Sequence, residues 1–414
     1  MSTHRASTRD LMRSGSRMIT AIGPVRLPSI GEIRDTLTLL AHAGGRHTPI
    51  GLVPAPGSRR WEHRPQDFLG QVRELEPCTR EEVPQLLTRL ARSGASAHAL
   101  NVAVAGDFLL LDISHGLGDG RLALSLVRAV AGGRTGTPVP EWARTRDSAL
   151  PLARALTRTF ASTPTRVASL LESRPAATHG SGSAGVVVPW HRAPTAVIAS
   201  TASGTTAELR RWRDREMPRA SVSSLLFAAV ARAMRSHGLA VDDTVDVLFD
   251  CRRYLPEAAT VNGNFAALVR FSLSDPGDAA EMSAAITQAT ASGRPLASLA
   301  LSTATFRRRV RAGSAHAQAT HVPADPLARL VYSDMGEAAL LADLDWTDEP
   351  GRRLVTALSE PADPASIVFN SVRHGSELDV SASLHDNVFD PELVRTALAD
   401  ALCDPLSLLS RRMF

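Results

Sequence analysis

Between positions 99 and 130 the sequence changes its period in quick succession. Residues 99–105 read as a strand, Gly106 and Asp107 offer a tight hairpin turn, and residues 108–114 (FLLLDIS) read as the return strand. That strand runs straight into His115, and from Arg121 to Val130 the apolar residues return at helical spacing before Gly132 and Gly133. A chain with this run must fold an antiparallel strand pair that hands over to a helix, and His115 then sits on the loop between them.

Strand and helix patterns alternate along the rest of the chain, which predicts an α/β fold. Ser29 followed by Glu32 has the form of a capping box, and Ile30, Ile33, Leu37 and Leu40 repeat at helical spacing until Gly44 and Gly45. Val83, Leu86, Leu87 and Leu90 suggest a second helix that stops near Gly94. Pro, Gly and Ser then accumulate over residues 172–185, which read as a linker and place a boundary between a domain 1–180 and a domain 181–414. The second half contains one apolar helical stripe, Val222, Leu225, Leu226, Ala229, Val230, Ala233 and Met234, which predicts core. Strand-like runs follow at VDVLFD, FAALVRFSL, ASIVFNSV and ELDVSASL, the last two joined by a turn at His374 and Gly375. A closing helix is expected from Asp390 as cap, Pro391 at its first position, and Leu393, Val394, Ala397, Leu398, Ala401 and Leu402 facing inward.

Composition removes several function classes. Of 414 residues 44% are hydrophobic and 21% charged, the balance of a globular chain with room for a large core. Cys78, Cys251 and Cys403 are far apart and lack metal-ligand spacing, so reduced thiols and a cytoplasmic protein are expected. No unbroken apolar run is long enough for a membrane span, and the first residues lack the apolar core of a signal peptide. All 46 basic residues are arginines, scattered among acids except in FRRRVR, where Arg307, Arg308, Arg309 and Arg311 cluster. With aromatics at 4%, nucleic-acid binding is not expected. The arginine cluster reads first as a solvated helix face, and second as a contact for an anionic cofactor or partner. The histidines, among them His179, His191, His237, His316, His321, His374 and His385, show no ligand spacing, so no metal is expected.

Chemistry concentrates in SHGLGDG, residues 114–120. An imidazole titrating near neutrality can take the proton of a hydroxyl or amine as that group attacks a carbonyl. The glycines let backbone and substrate approach closely, and Asp119 can lock the loop. Gly116, Gly118 and Gly120 also invite comparison with a dinucleotide-binding loop, but the third glycine comes too soon and RTGTPVPEW downstream is no strand. A nucleophile elbow of the form GxSxG does not occur.

With His115, Asp119 and Gly120 as an HxxxDG loop, the chain resembles the chloramphenicol-acetyltransferase-like superfamily, which includes condensation domains and alcohol acyltransferases. Three further segments carry the resemblance in the right order: RASVSSLLFAAVARAMRSHG, FDCRRYLPEAATVNGNFAALVRFSL with its turn at Gly263, Asn264 and Phe265, and SVRHGSELDVSASLHDNVFDPELV. Ser114 stands where many relatives have a first histidine, and the DFGWG motif of the plant alcohol acyltransferases does not occur, so the subfamily stays open. The resemblance implies two similar sandwich domains around a central channel, His115 as general base, and Asp119 turned away toward Arg252 to support the loop together with Gly120. It also implies an acyltransferase or freestanding condensation enzyme of bacterial specialised metabolism, acting as a monomer. No cofactor would be tightly bound; acyl-coenzyme A or an acyl or peptidyl carrier protein would be the donor, contacted by Arg307, Arg308 and Arg309. The acceptor would be a small molecule with a hydroxyl or amine. An inactive condensation-like module that recruits a protein partner is the alternative.

Overall fold

The computed structural model describes residues 2–93, 98–134, 136–163, 165–172, 186–312, 319–347 and 352–410. Eleven strands build two large sheets: β1 (Arg17–Gly23), β2 (Leu69–Leu75), β3 (Leu100–Ala105), β4 (Phe108–Ser114), β5 (Pro194–Ser200), β6 (Val241–Asp250), β7 (Ala266–Ser272), β8 (Ala328–Glu337), β9 (Leu354–Ser359), β10 (Ser366–His374) and β11 (Glu377–His385). The first sheet has the order β9-β1-β4-β3-β2 and the second β7-β6-β8-β10-β11-β5. The helices used below are α1 (Thr8–Arg13), α2 (Ile30–Ala43), α3 (Val83–Arg92), α4 (Gly120–Ala131), α5 (Val222–Ser236), α6 (Ala279–Ser292), α7 (Arg294–Arg311) and α8 (Pro391–Cys403). The linker read over residues 172–185 lies outside the described residues from position 173 onward.

Local chemistry accounts for the elements that position the candidate site. Gly106 adopts φ 62°, which a residue with a Cβ resists, and so turns β3 into β4 with Ala105 opposite Phe108. Helix α2 begins on a complete capping box, Ser29 Oγ accepting from Glu32 N and Glu32 returning to Ser29 N. It buries Ile33, Leu37, Leu40 and Ala41 against the first sheet, while Ile30 packs only partly buried. Helix α5 departs from its expected single stripe, because Phe227, Ala228 and Ala231 on its other sides are buried as well. The small residues let α6 and α8 pack on it, with the second sheet beneath. In α8 Leu393 is only half-buried, whereas Val394, Ala397, Leu398, Ala401 and Leu402 face the core, and a short helix Pro405–Ser410 follows it.

Each half of the chain closes a sheet edge of the other. Strand β9, from late in the sequence, joins the first sheet beside β1, with Leu354 opposite Gly23 and Ser359 opposite Met18. Its outer edge meets side chains of β11: Val355 N donates to Asp379 Oδ2 (2.9 Å), Ser381 Oγ donates to the Ala357 carbonyl (2.6 Å), and Ser359 N donates to Ser383 Oγ (3.1 Å). Alternate residues of β11 thus satisfy alternate backbone groups of β9. Helix α3 does the same for β5, Ala196 N donating to Thr88 Oγ1 (3.1 Å) and Arg92 Nε to the Pro194 carbonyl (2.9 Å).

Candidate active site

His115 leaves the end of β4 and turns back over its own loop. Its Nδ1 lies 3.0 Å from the Gly118 carbonyl. A carbonyl only accepts, so Nδ1 carries the proton and Nε2 keeps its lone pair. The backbone on either side is held, His115 N donating to the Ser16 carbonyl (2.9 Å) and Asn264 Nδ2 donating to the His115 carbonyl (2.9 Å). Burial pushes the imidazole pKa below its ordinary value, and the nearby positive charge of Arg13 pushes it the same way. Neutral imidazole is therefore the resting form at neutral pH, as a proton acceptor must be.

Asp119 ends the loop and starts α4, and its carboxylate is fully engaged. Oδ2 accepts from Arg252 Nη1 (2.9 Å) and Phe265 N (3.1 Å), while Oδ1 accepts from Arg252 Nη2 (3.2 Å) and, as N-cap, from Arg121 N (3.3 Å). Both side chains of this bidentate pair are about one-tenth exposed, Arg252 at 9% and Asp119 at 10%. Arg252 follows β6, so the pair ties the loop after β4 to the second sheet. Glycines permit the contact: a Cβ on Gly118 would stand 2.5 Å from Leu122 Cδ2 and 2.9 Å from the Asn262 carbonyl, and one on Gly120 2.3 Å from Met335 Cε.

Facing this loop is the turn from Val261 to Phe265, whose backbone is bonded almost group by group. Arg252 Nε donates to the Val261 carbonyl (2.8 Å) and Nη2 to the Gly263 carbonyl (2.8 Å). Asn262 N and Gly263 N donate to Asp147 (2.7 and 3.3 Å), and Asn264 N donates to Asp10 Oδ1 (2.9 Å). Arg9 Nε donates to the Asn264 carbonyl (3.0 Å), with its guanidinium over the Phe265 ring. Burial raises the pKa of Asp147, and the Asp10 charge adds to that rise against the hydrogen bonds from Asn262 and Gly263. The turn Gly263-Asn264-Phe265 is legible in the sequence; Arg9, Asp10, Arg13 and Asp147 are not. Helix α1 has six residues, too few to show a period, and Asp147 lies in an irregular stretch.

The arginine cluster sits at the C-terminal end of α7, which packs beside α1. Arg307, Arg308 and Arg311 line an open groove of about 370 Å³ with Thr8, Ala300, Thr303 and Ala304. Arg309 is exposed and is not among the groove residues. Arg5 and Arg59 add positive charge nearby, Arg307 and Arg311 being close enough to depress the Arg59 pKa, where burial acts first. Two other histidines serve the framework: His374 Nε2 meets Asp379 Oδ2 at 2.6 Å and His237 Nε2 meets Asp400 Oδ2 at 2.7 Å. His179 and His316 lie outside the described residues. Among the described residues no group of three His, Cys, Asp or Glu side chains could hold a metal ion, and no helix is long and apolar enough to cross a membrane.

No protein-family model matches the chain, and no characterised protein matches it by sequence. Solved structures do match over its whole length. The condensation domain of the monacolin K polyketide synthase MokA superposes with a TM-score of 0.61 at 14% identity, covering 99% of this chain and 97% of that one. The trichothecene 15-O-acetyltransferase TRI3 of Fusarium sporotrichioides gives 0.60 at 13% identity, covering 99% and 96%. The first condensation domain of the CDA synthetase gives 0.59 at 14% identity, covering 100% and 99%. From end to end, the chain has the chloramphenicol-acetyltransferase-like α/β fold of condensation domains and O-acetyltransferases.

Proposed function

We propose that this protein is an acyltransferase or condensation enzyme that moves an acyl group from a thioester to a hydroxyl or amine, with His115 as general base. The observation that carries the reading is the hydrogen bond from His115 Nδ1 to the Gly118 carbonyl, which leaves Nε2 free as a base. As the acceptor oxygen or nitrogen attacks the thioester carbonyl, Nε2 takes its proton and the carbonyl becomes an oxyanion. Collapse of that intermediate breaks the carbon–sulfur bond, and the thiolate leaves with the proton returned by the imidazolium. Asp119 does not take part in the transfer, because all its hydrogen-bonding directions are spent on Arg252, Phe265 and Arg121. It holds the loop, with Gly120 and Arg252, in the geometry the base requires.

The donor is acyl-coenzyme A or an acyl carrier protein, and no cofactor is tightly bound. Arg307 and Arg308, joined by Arg311 in one groove, support an anionic donor or an acidic carrier surface. Arg309 stands outside that groove, so we assign donor contact to the other three. The MokA and CDA synthetase likenesses support a place in natural-product biosynthesis.

The test is release of free thiol from a panel of acyl thioesters in the presence of amine and alcohol acceptors. His115→Ala should lower the transfer rate by about 10²- to 10⁴-fold with the melting temperature nearly unchanged. Rates within about threefold of the parent, with chemistry limiting, would mean that His115 is not the base.

A further inference from the structure

Helix α1 ends directly against the active loop. The Arg13 carbonyl accepts from Ser16 N (3.0 Å), and the Ser16 carbonyl accepts from His115 N (2.9 Å). A Cβ on Gly116 would stand 2.9 Å from Ser14 Cα, so the two backbones touch. Two links of main chain therefore join Arg13 to the base.

Among the described residues, the Arg13 guanidinium has no hydrogen bond and no ion pair. The neighbouring arginines are all engaged, Arg9 with the Asn264 carbonyl, Arg17 with Asp112 and Arg252 with Asp119. The acids that could neutralise Arg13 are engaged too. Asp10, one helical turn earlier, accepts from Ser7 Oγ (2.6 Å) and from Asn264, and Asp119 is held by Arg252. Arg13 is nevertheless only partly exposed, and burial depresses its own pKa. A partly buried guanidinium with no acid to pair with lacks a partner in the free protein, and a bound anion supplies one.

We propose that Arg13 binds a carboxylate carried by the substrate close to the reacting bond, so that this enzyme acts on amino or hydroxy acids, or on dicarboxylic acyl groups, rather than on neutral molecules. This rests on the acyl-transfer reading of the same site. The phosphates of a coenzyme or carrier donor are separated from the thioester by the whole pantetheine arm, too far to reach a side chain whose charge acts on the base. A guanidinium forms two parallel hydrogen bonds with a carboxylate, which orients the substrate as well as attracting it.

Two measurements test the assignment. In the first, acetyl-coenzyme A is paired with β-alanine or 3-hydroxybutyrate and with their methyl esters, and succinyl-coenzyme A is compared with butyryl-coenzyme A on neutral acceptors. The parent should favour the acid in one of these two arms, and that arm identifies whether acceptor or acyl group carries the carboxylate. Arg13→Met should lower the acid-to-neutral ratio of kcat/KM at least tenfold, mainly through KM, and Arg13→Lys should restore part of it. Equal loss for acid and neutral substrates, through kcat, would assign Arg13 to the reaction's oxyanion and overturn the proposal. The second measurement does not need turnover: calorimetric titration with glutarate should show binding to the parent and to His115→Ala, at least tenfold weaker in Arg13→Met. No binding, or equal binding to all three, overturns the anion site. Binding that depends on Arg13 in a protein that turns over no thioester leaves the anion site standing and removes the acyl-transfer reading instead.

Discussion

The pair between Asp119 and Arg252 makes a quantitative prediction. In Asp119→Asn one carboxylate oxygen becomes an NH2 group. Each oxygen accepts from one Arg252 nitrogen and one backbone N–H, so either orientation of the new amide turns donors on donors. Arg252 then keeps Asp250 as its acid, which is far more exposed than Asp119. Breaking a buried pair in this way costs about 3–5 kcal/mol. If Asp119 acted only as the N-cap of α4, the substitution would cost almost nothing, since Asn caps as well as Asp. For 414 residues at about 2.1 cal/mol/K per residue, the penalty corresponds to a melting shift of roughly 3–6 °C. Arg252→Gln should cost as much, because it also strips the Val261 and Gly263 carbonyls of their donor. The double variant should be less damaged than the two singles summed, by about 0.5–3 kcal/mol, because neither charge is left alone. Thermal melts followed by circular dichroism, run beside thiol-release rates, decide the matter. Small additive melting shifts would refute the pair as a structural tie. A full loss of rate in Asp119→Asn without a melting shift would make Asp119 a proton-transfer group.

Three other outcomes are expected. The acid limb of kcat/KM should have its midpoint below the ordinary imidazole value of about 6.5, since burial and then Arg13 lower the His115 pKa. Activity is lost as pH falls through that lowered value, and Arg13→Met should move the midpoint upward; a limb at or above the ordinary value would contradict the charge environment. Gly118→Ala should cost more stability and activity than Gly120→Ala, because the first meets the Asn262 backbone and the second only the mobile end of Met335; equal melting shifts would count against the close approach. Replacing Arg307, Arg308 and Arg311 together by Ser should raise the donor KM at low salt and flatten its salt dependence, with Arg309→Ser alone having less effect. An unchanged donor KM would return the cluster to a solvated helix face.

What the sequence discloses and what it hides divide along physical lines. Repeating patterns were readable: the capping box of α2, the hairpin of β3 and β4, and the buried turns of α8 depend on neighbours a few residues apart. The same holds for the loop from His115 to Gly120, where loop, strand and helix are contiguous. The frame around that loop is different. Asp10 reaches Asn264, Asp147 reaches Asn262, and Asn264 reaches His115 across more than a hundred residues each, with no periodicity to announce them. Strand β11 shows the limit from the other side. It carries the polar residues Asp379, Ser381 and Ser383, yet every residue of β11 is buried, because the open edge of β9 needs those side chains.

That use of β9 bears on how the chain is made. Strand β1 is synthesised well before its neighbour on one side, which emerges roughly 330 residues later. At about 5–20 residues per second, a nascent chain holds an incomplete first sheet for some 15–70 s. During that interval the outer edge of β1 is a template on which any extended segment could add. Completion of the first sheet thus waits on residues made long after β1, and the fold depends on later residues to protect earlier ones.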